Sequence, residues 1–172
     1  MPLDSLVREF ITASTEEAPS LAKGLDKLDE DGKRELAGIL GRFDFRGQGK
    51  LDAQQRLFAR RVLGRLHRLT TTSLTLTNQI LDYLDLNSNA LLEPNEVEFA
   101  VEILEMFAKA DSINDTLSER ELRMLYAVLR HLDSNDNRVL DKHEVKQLHD
   151  ALEAPSAFLA RQKRTNPLFA EI

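Results

Sequence analysis

Apolar residues recur along this chain at intervals of three and four, the spacing that lines one side of a helix. Leu36, Ile39, Leu40 and Phe43 form one such stripe; Val97, Ala100, Val101 and Leu104 form a second; Leu125, Val128, Leu129 and Leu132 form a third. Alternation of β-branched residues is nearly confined to Thr70 to Thr77, so the pattern predicts an all-α fold. Helices are expected over roughly 3–13, 18–28, 32–43, 52–68, 74–84, 94–109, 118–132 and 142–153. Ser118 followed by Glu121 has the form of a capping box and marks a helix start. Pro155 and Ser156 end the last expected helix, and Pro167 disfavours another in the tail that follows.

Two of the polar intervals between these helices align without a gap. Asp85-Leu86-Asn87-Ser88-Asn89-Ala90-Leu91-Leu92-Glu93-Pro94-Asn95-Glu96 and Asp133-Ser134-Asn135-Asp136-Asn137-Arg138-Val139-Leu140-Asp141-Lys142-His143-Glu144 both read Asp-x-Asn-x-Asn, with an apolar eighth and a Glu twelfth residue. A hard cation the size of calcium takes six to eight oxygens, and a tightly curled loop aims alternate side chains inward while the start of a helix delivers a two-oxygen carboxylate. Asp85, Asn87 and Asn89 would supply side-chain oxygens, Leu91 its carbonyl, Glu93 a direct or water-bridged contact and Glu96 both carboxylate oxygens. Asp133, Asn135, Asn137, the Val139 carbonyl, Asp141 and Glu144 repeat that set. Glu at the twelfth place has the reach for bidentate binding and favours calcium over magnesium.

These loops and their amphipathic flanks, residues 74–153, resemble the EF-hand superfamily, whose members include calmodulin and parvalbumin. The resemblance implies a helix-loop-helix pair holding two calcium ions. The chain departs from the family pattern at the sixth loop position, where Ala90 and Arg138 replace glycine. A left-handed backbone there costs a non-glycine residue about 1 kcal/mol, so weakened affinity is expected rather than lost binding.

A third interval, Asp44 to Gln55, has Gly49 at the turn and Leu51 at the eighth place, but Arg46 stands where an oxygen is needed and Gln55 replaces the carboxylate. It reads as a vestigial hand that packs without binding. A fourth register, ending at Glu121, would start on Ala110 and put Glu102, Glu105 and Lys109 on the face that should be apolar, so that segment reads as a linker. The two intact loops start 48 residues apart. Pairing of 85–96 with 133–144 explains two intact sites most simply; pairing of 85–96 with the vestigial loop is the alternative.

Charge adds to this picture. The net charge is −6, and up to Leu84 the chain carries 13 basic and 12 acidic residues against 10 and 17 beyond it. The acidity therefore sits with the candidate loops, which suits a cation and not a nucleic acid, for which basic clusters and stacking aromatics are wanted. Without cysteine there is no disulfide, thiolate site or thiol nucleophile. The charged N-terminus, Met1 to Phe10, lacks a signal-like apolar stretch, and charges interrupt every helical segment, so a cytoplasmic protein with no membrane span is expected.

Other signals weigh less. Arg56, Arg60, Arg61, Arg65 and Arg68 could dock on an acidic partner or an anionic membrane surface, but a core helix with a solvated basic face is the simpler reading. His143 and His149 are six apart and do not share a helix face as zinc would require, while His67 and His131 stand alone. No phosphate-cradling glycine loop or nucleophile motif is present, which argues against an enzyme.

The expected organisation is an N-terminal helical region with the vestigial hand (1–73), paired hands (74–153) and a tail (154–172). Three functions fit: a sensor acting through a protein partner on an apolar groove, a calcium buffer, or a scaffold stabilised by its ions. Only Met106 and Met124 lie near the hands, so a promiscuous Met-rich groove is not expected, although Phe99, Ile103, Phe107 and Leu125 could serve one dedicated partner. Phe158, Leu159, Leu168 and Phe169 of the tail could fill such a groove from within the chain.

Overall fold

The computed structural model describes residues 2–44, 51–85, 91–111, 116–133 and 140–168. Among them the fold is all-α, with α1 (Pro2–Glu17), α2 (Pro19–Asp26), α3 (Glu30–Phe43), α4 (Ala53–Leu63), α5 (Thr71–Leu84), α6 (Pro94–Asp111), α7 (Glu119–Leu132), α8 (Lys142–Glu153) and α9 (Pro155–Thr165). No helix among the described residues is long and apolar enough to cross a membrane.

A helix-loop-helix unit recurs three times with the same local chemistry. The leading helices α3, α5 and α7 each have 14 residues and start on a side-chain cap from Asp29, Thr70 or Ser118. Each such cap satisfies an orphan backbone donor and contributes about 1 kcal/mol. Each leading helix stops on an aspartate, Asp44, Asp85 or Asp133, with φ of −82°, −80° and −77°. The following helices α4, α6 and α8 begin at the tenth residue counted from that aspartate. Thr70 caps Ser73 reciprocally, which is why the threonine-rich stretch begins a helix at Thr71 rather than at the expected 74.

The linkers joining successive units are tied together. Leu66 and Leu117 form a parallel bridge, with His67 N–H donating to Leu117 O at 2.9 Å and Leu117 N–H to Arg65 O at 2.6 Å. Thr70 Oγ1 donates to Glu119 Oε1 at 2.9 Å just beyond it. α5 and α7 therefore start side by side, and they pack against one another, as α3 does against α5. The linker reading of the segment before α7 agrees with this, although residues 112–115 lie outside the described set.

One apolar cluster runs from Leu6 and Phe10 of α1 through Phe43, Leu84, Phe107 and Leu129 to Phe158 and Leu159 of α9. It draws on all three expected segments of the chain. The tail was expected to lack a helix, yet α9 starts with Pro155 in its first turn, where proline's missing N–H costs nothing. The helix then ends before Pro167, which accounts for the part of the expectation that held.

α4 ends at Leu63, short of the expected 68, so Arg65 and Arg68 lie beyond it, and the arginines from Arg56 to Arg65 are spent on neighbouring helices. Arg56 and Arg60 reach Glu17 of α1 at 3.3 and 3.0 Å, Arg61 reaches Glu98 at 2.7 Å, and Arg65 reaches Glu105 of α6 at 3.0 Å. Arg61 holds the Glu98 carboxyl below the usual range by its hydrogen bond and its charge. Glu17 of α1 thus meets two of the arginines, and Arg56, Arg60, Arg61 and Arg65 form an ion-paired face.

Candidate metal centre

Each candidate loop is framed by the end of one helix and the start of the next. Asp85 and Asp133, the first residues, are the C-caps of α5 and α7, with N–H groups donating to Leu81 O and Leu129 O at 3.0 Å in both cases. Glu96 and Glu144, the twelfth residues, lie in the first turns of α6 and α8. Glu96 Oε1 accepts from the Glu93 N–H at 3.0 Å, and Glu144 Oε1 accepts from the Asp141 N–H at 2.8 Å. Asp141 Oδ1 completes a capping box by accepting from the Glu144 N–H at 2.9 Å.

All four end carboxylates are buried, with relative exposures of 5% for Asp85 and Asp133 and 2% for Glu96 and Glu144. The glutamates sit at helix N-termini, where the backbone field favours negative charge. The aspartates sit at helix C-termini, where it opposes it. Burying a carboxylate at the negative end of a helix is electrostatically uphill, and a cation in the loop would offset that cost.

The eighth residues Leu92 and Leu140 are buried, Leu91 and Glu93 are half-buried, and Asp141 is exposed. Asn87, Asn89, Asn135, Asn137 and Val139 lie outside the described residues, as do Ala90 and Arg138. Among the described residues no three or more His, Asp or Glu groups gather as a metal site would require. What is described is the frame of each loop, its first and last carboxylates and its eighth-residue anchor.

The vestigial unit has the same frame with different chemistry. Gln55, fully buried, forms a capping box with Asp52, accepting from the Asp52 N–H at 2.8 Å while its own N–H donates to Asp52 Oδ1 at 2.8 Å. Among the described residues its Nε2, a donor, is buried without a hydrogen-bond partner. A cation is not attracted to an amide N–H, so this position does not reproduce the role of Glu96 or Glu144.

Sequence reasoning allowed Phe158 and Leu159 to fill a groove but missed Asn166 as the anchor of the tail. Asn166, buried, donates from Nδ2 to Ala127 O of α7 and to Gln162 Oε1, both at 3.0 Å. Phe158 and Leu159 enter the core, and α9 packs on α6 and α8. A cavity of about 500 Å³ remains between α9 and the ends of α7 and α8, walled by Leu132, Glu144, Ala151, Phe158, Arg161 and Gln162 among others. Phe158 and Leu159 were the available signal; Leu168 is half-buried and Phe169 lies outside the described residues.

No family model, curated protein or solved structure matches this chain.

Proposed function

We propose that the chain is a calcium-binding protein of the EF-hand type, holding one ion in 85–96 and one in 133–144 and acting as a regulatory module on a protein partner. The observation that carries this reading is the matched burial of Asp85 and Asp133 at helix C-termini opposite Glu96 and Glu144 at helix N-termini, in register with a ligand pattern repeated at 48 residues. Burial of four carboxylates at these places is what a divalent ion would compensate. Loops 85–96 and 133–144 form the working pair in this reading, with α5 packed on α7 and α6 on α8; α3 packs on α5 and α4 on α6 as well, so pairing of 85–96 with 44–55 is the alternative.

A specific observation favours a second reading, a buffer or ion-stabilised scaffold. Phe99, Ile103, Phe107 and Leu125 are buried, and among the described residues Leu57 is the only large apolar side chain classed as exposed. A sensor would have to uncover this surface on loading.

Calcium titration by calorimetry tests the assignment. Two ions are expected, Glu96→Gln and Glu144→Gln should each remove or severely weaken one, and the 44–55 loop should take none. Two-site binding unaltered in the double variant would refute it. An increase of hydrophobic-dye fluorescence on calcium addition separates the sensor from the buffer.

A further inference from the structure

The repeat unit that lacks ion ligands is placed so that it holds the first intact loop from both ends. The last carbonyls of any helix have no partner within it. In α3 the Arg42 carbonyl accepts from the N–H of Leu92, the buried eighth residue of the 85–96 loop, at 2.6 Å. The side chain of the same residue reaches the other end. Its Nε donates to Asn78 Oδ1 at 3.2 Å, its Nη2 donates to Asn78 O at 3.3 Å, and Nη2 is also ion-paired to Asp82. Asn78 is fixed in turn, its Nδ2 donating to Glu35 O at 3.0 Å and to Glu35 Oε2 at 2.9 Å. Asn78 and Asp82 occupy the last two turns of α5, the helix that ends at Leu84 and delivers Asp85.

We propose that Arg42 is a positioning residue for the 85–96 site, and that the vestigial hand is retained as its clamp. The inference rests on the reading of 85–96 as a cation loop. A loop that closes round an ion loses conformational freedom on binding, and fixing its entry helix and its eighth residue beforehand removes part of that cost. The guanidinium is suited to this because its planar fork serves the Asn78 amide oxygen, the Asn78 carbonyl and the Asp82 carboxylate from one rigid group. The grip acts on the first loop, so its effect divides the two sites.

The test uses the full chain. In a Glu144→Gln background, which leaves only the first site, Arg42→Ala should raise the calcium Kd about tenfold, the equivalent of a charge-assisted hydrogen-bond set. Arg42→Lys keeps the charge but not the fork, and should fall between. In a Glu96→Gln background the second site should change less than about twofold, since it shares no contact with the grip. Asp82→Asn, at a solvent-facing carboxylate, should weaken the first site in the same direction and serves if Arg42→Ala does not fold. Amide exchange supplies a readout free of calcium: the Asp85 amide, which closes the α5 end that the Arg42 side chain holds, should exchange at least about tenfold faster in Arg42→Ala, with the Asp133 amide unchanged. Equal weakening of both sites, or an unchanged Asp85 exchange rate, overturns the proposal. A wild-type chain that binds no calcium would refute the cation-loop reading, while Asp85 exchange would still decide whether the Arg42 side chain fixes the entry helix.

Discussion

Asn166 donates a hydrogen bond from Nδ2 to the carbonyl of Ala127, in the middle of α7, at 3.0 Å and out of contact with water. The Ala127 carbonyl lies inside a helix, so the bond is an addition to α7 and not a substitute for its own ladder. Its Oδ1 meanwhile accepts from the Leu168 N–H at 3.0 Å, so one side chain ends α9 and fastens it. Together with Phe158 and Leu159 it makes the tail part of the core.

That arrangement predicts the behaviour of the tail. Asn166→Ala should lower stability by about 1–2 kcal/mol, the usual cost of removing a buried hydrogen-bonding group, measured by urea unfolding. Deleting residues 157–172 should uncover the surface beneath α9 and raise hydrophobic-dye binding in the absence of calcium. Dye binding that does not change on deletion would mean that the surface under α9 closes without it.

Gln55→Glu tests the expectation that the first unit takes no ion. The substitution keeps the oxygen that accepts from the Asp52 N–H but buries a charge where Gln55 is fully enclosed. A destabilisation of about 1–3 kcal/mol is expected at neutral pH, without a third calcium ion, because Arg46 still stands at a ligand position. Three-site binding in the calorimeter would show that the twelfth residue alone had silenced the loop.

The sixth loop position offers a gain. Ala90→Gly and Arg138→Gly should each tighten one site by up to about 1 kcal/mol, severalfold in Kd, if glycine relieves a left-handed backbone. No tightening at either position would mean that both loops turn by another geometry.

Acid should loosen the packing of α3 against α5. The Asp29 carboxyl is held below its usual range by the N–H of Gly32, at 2.7 Å, and next by the hydroxyl of Thr71, at 2.9 Å. A carboxyl whose folded pKa is depressed contributes stability above its unfolded pKa of about 4, and that contribution is lost as the pH falls through the lower folded value. Urea midpoints followed from pH 5 to 2 should therefore fall more steeply for the wild type than for Asp29→Asn, which has no proton to take up.

The sequence by itself determined the helices and the frames of the loops, because both are local. Periodic apolar faces, the Ser118 and Glu121 cap, and an aspartate and a glutamate eleven residues apart act over short stretches of the chain, and α3, α5 and α7 stand within a few residues of where the pattern puts them. What only the tertiary structure decided are contacts between residues distant in the chain, which no spacing encodes. The arginines from Arg56 to Arg65 read as a solvated basic face, and nothing in their spacing named Glu17, Glu98 and Glu105 as the groups that meet them. The tail was expected to hold no helix because Pro155 and Pro167 bound it, yet burial of Phe158 and Leu159 against α6 and α8 makes a short helix worth forming, although so short a segment is marginal alone. No signal in the sequence singled out Arg42. Its hold on Leu92, Asn78 and Asp82 depends on α3 packing beside α5, a relationship fixed by the shared core rather than by any local signal.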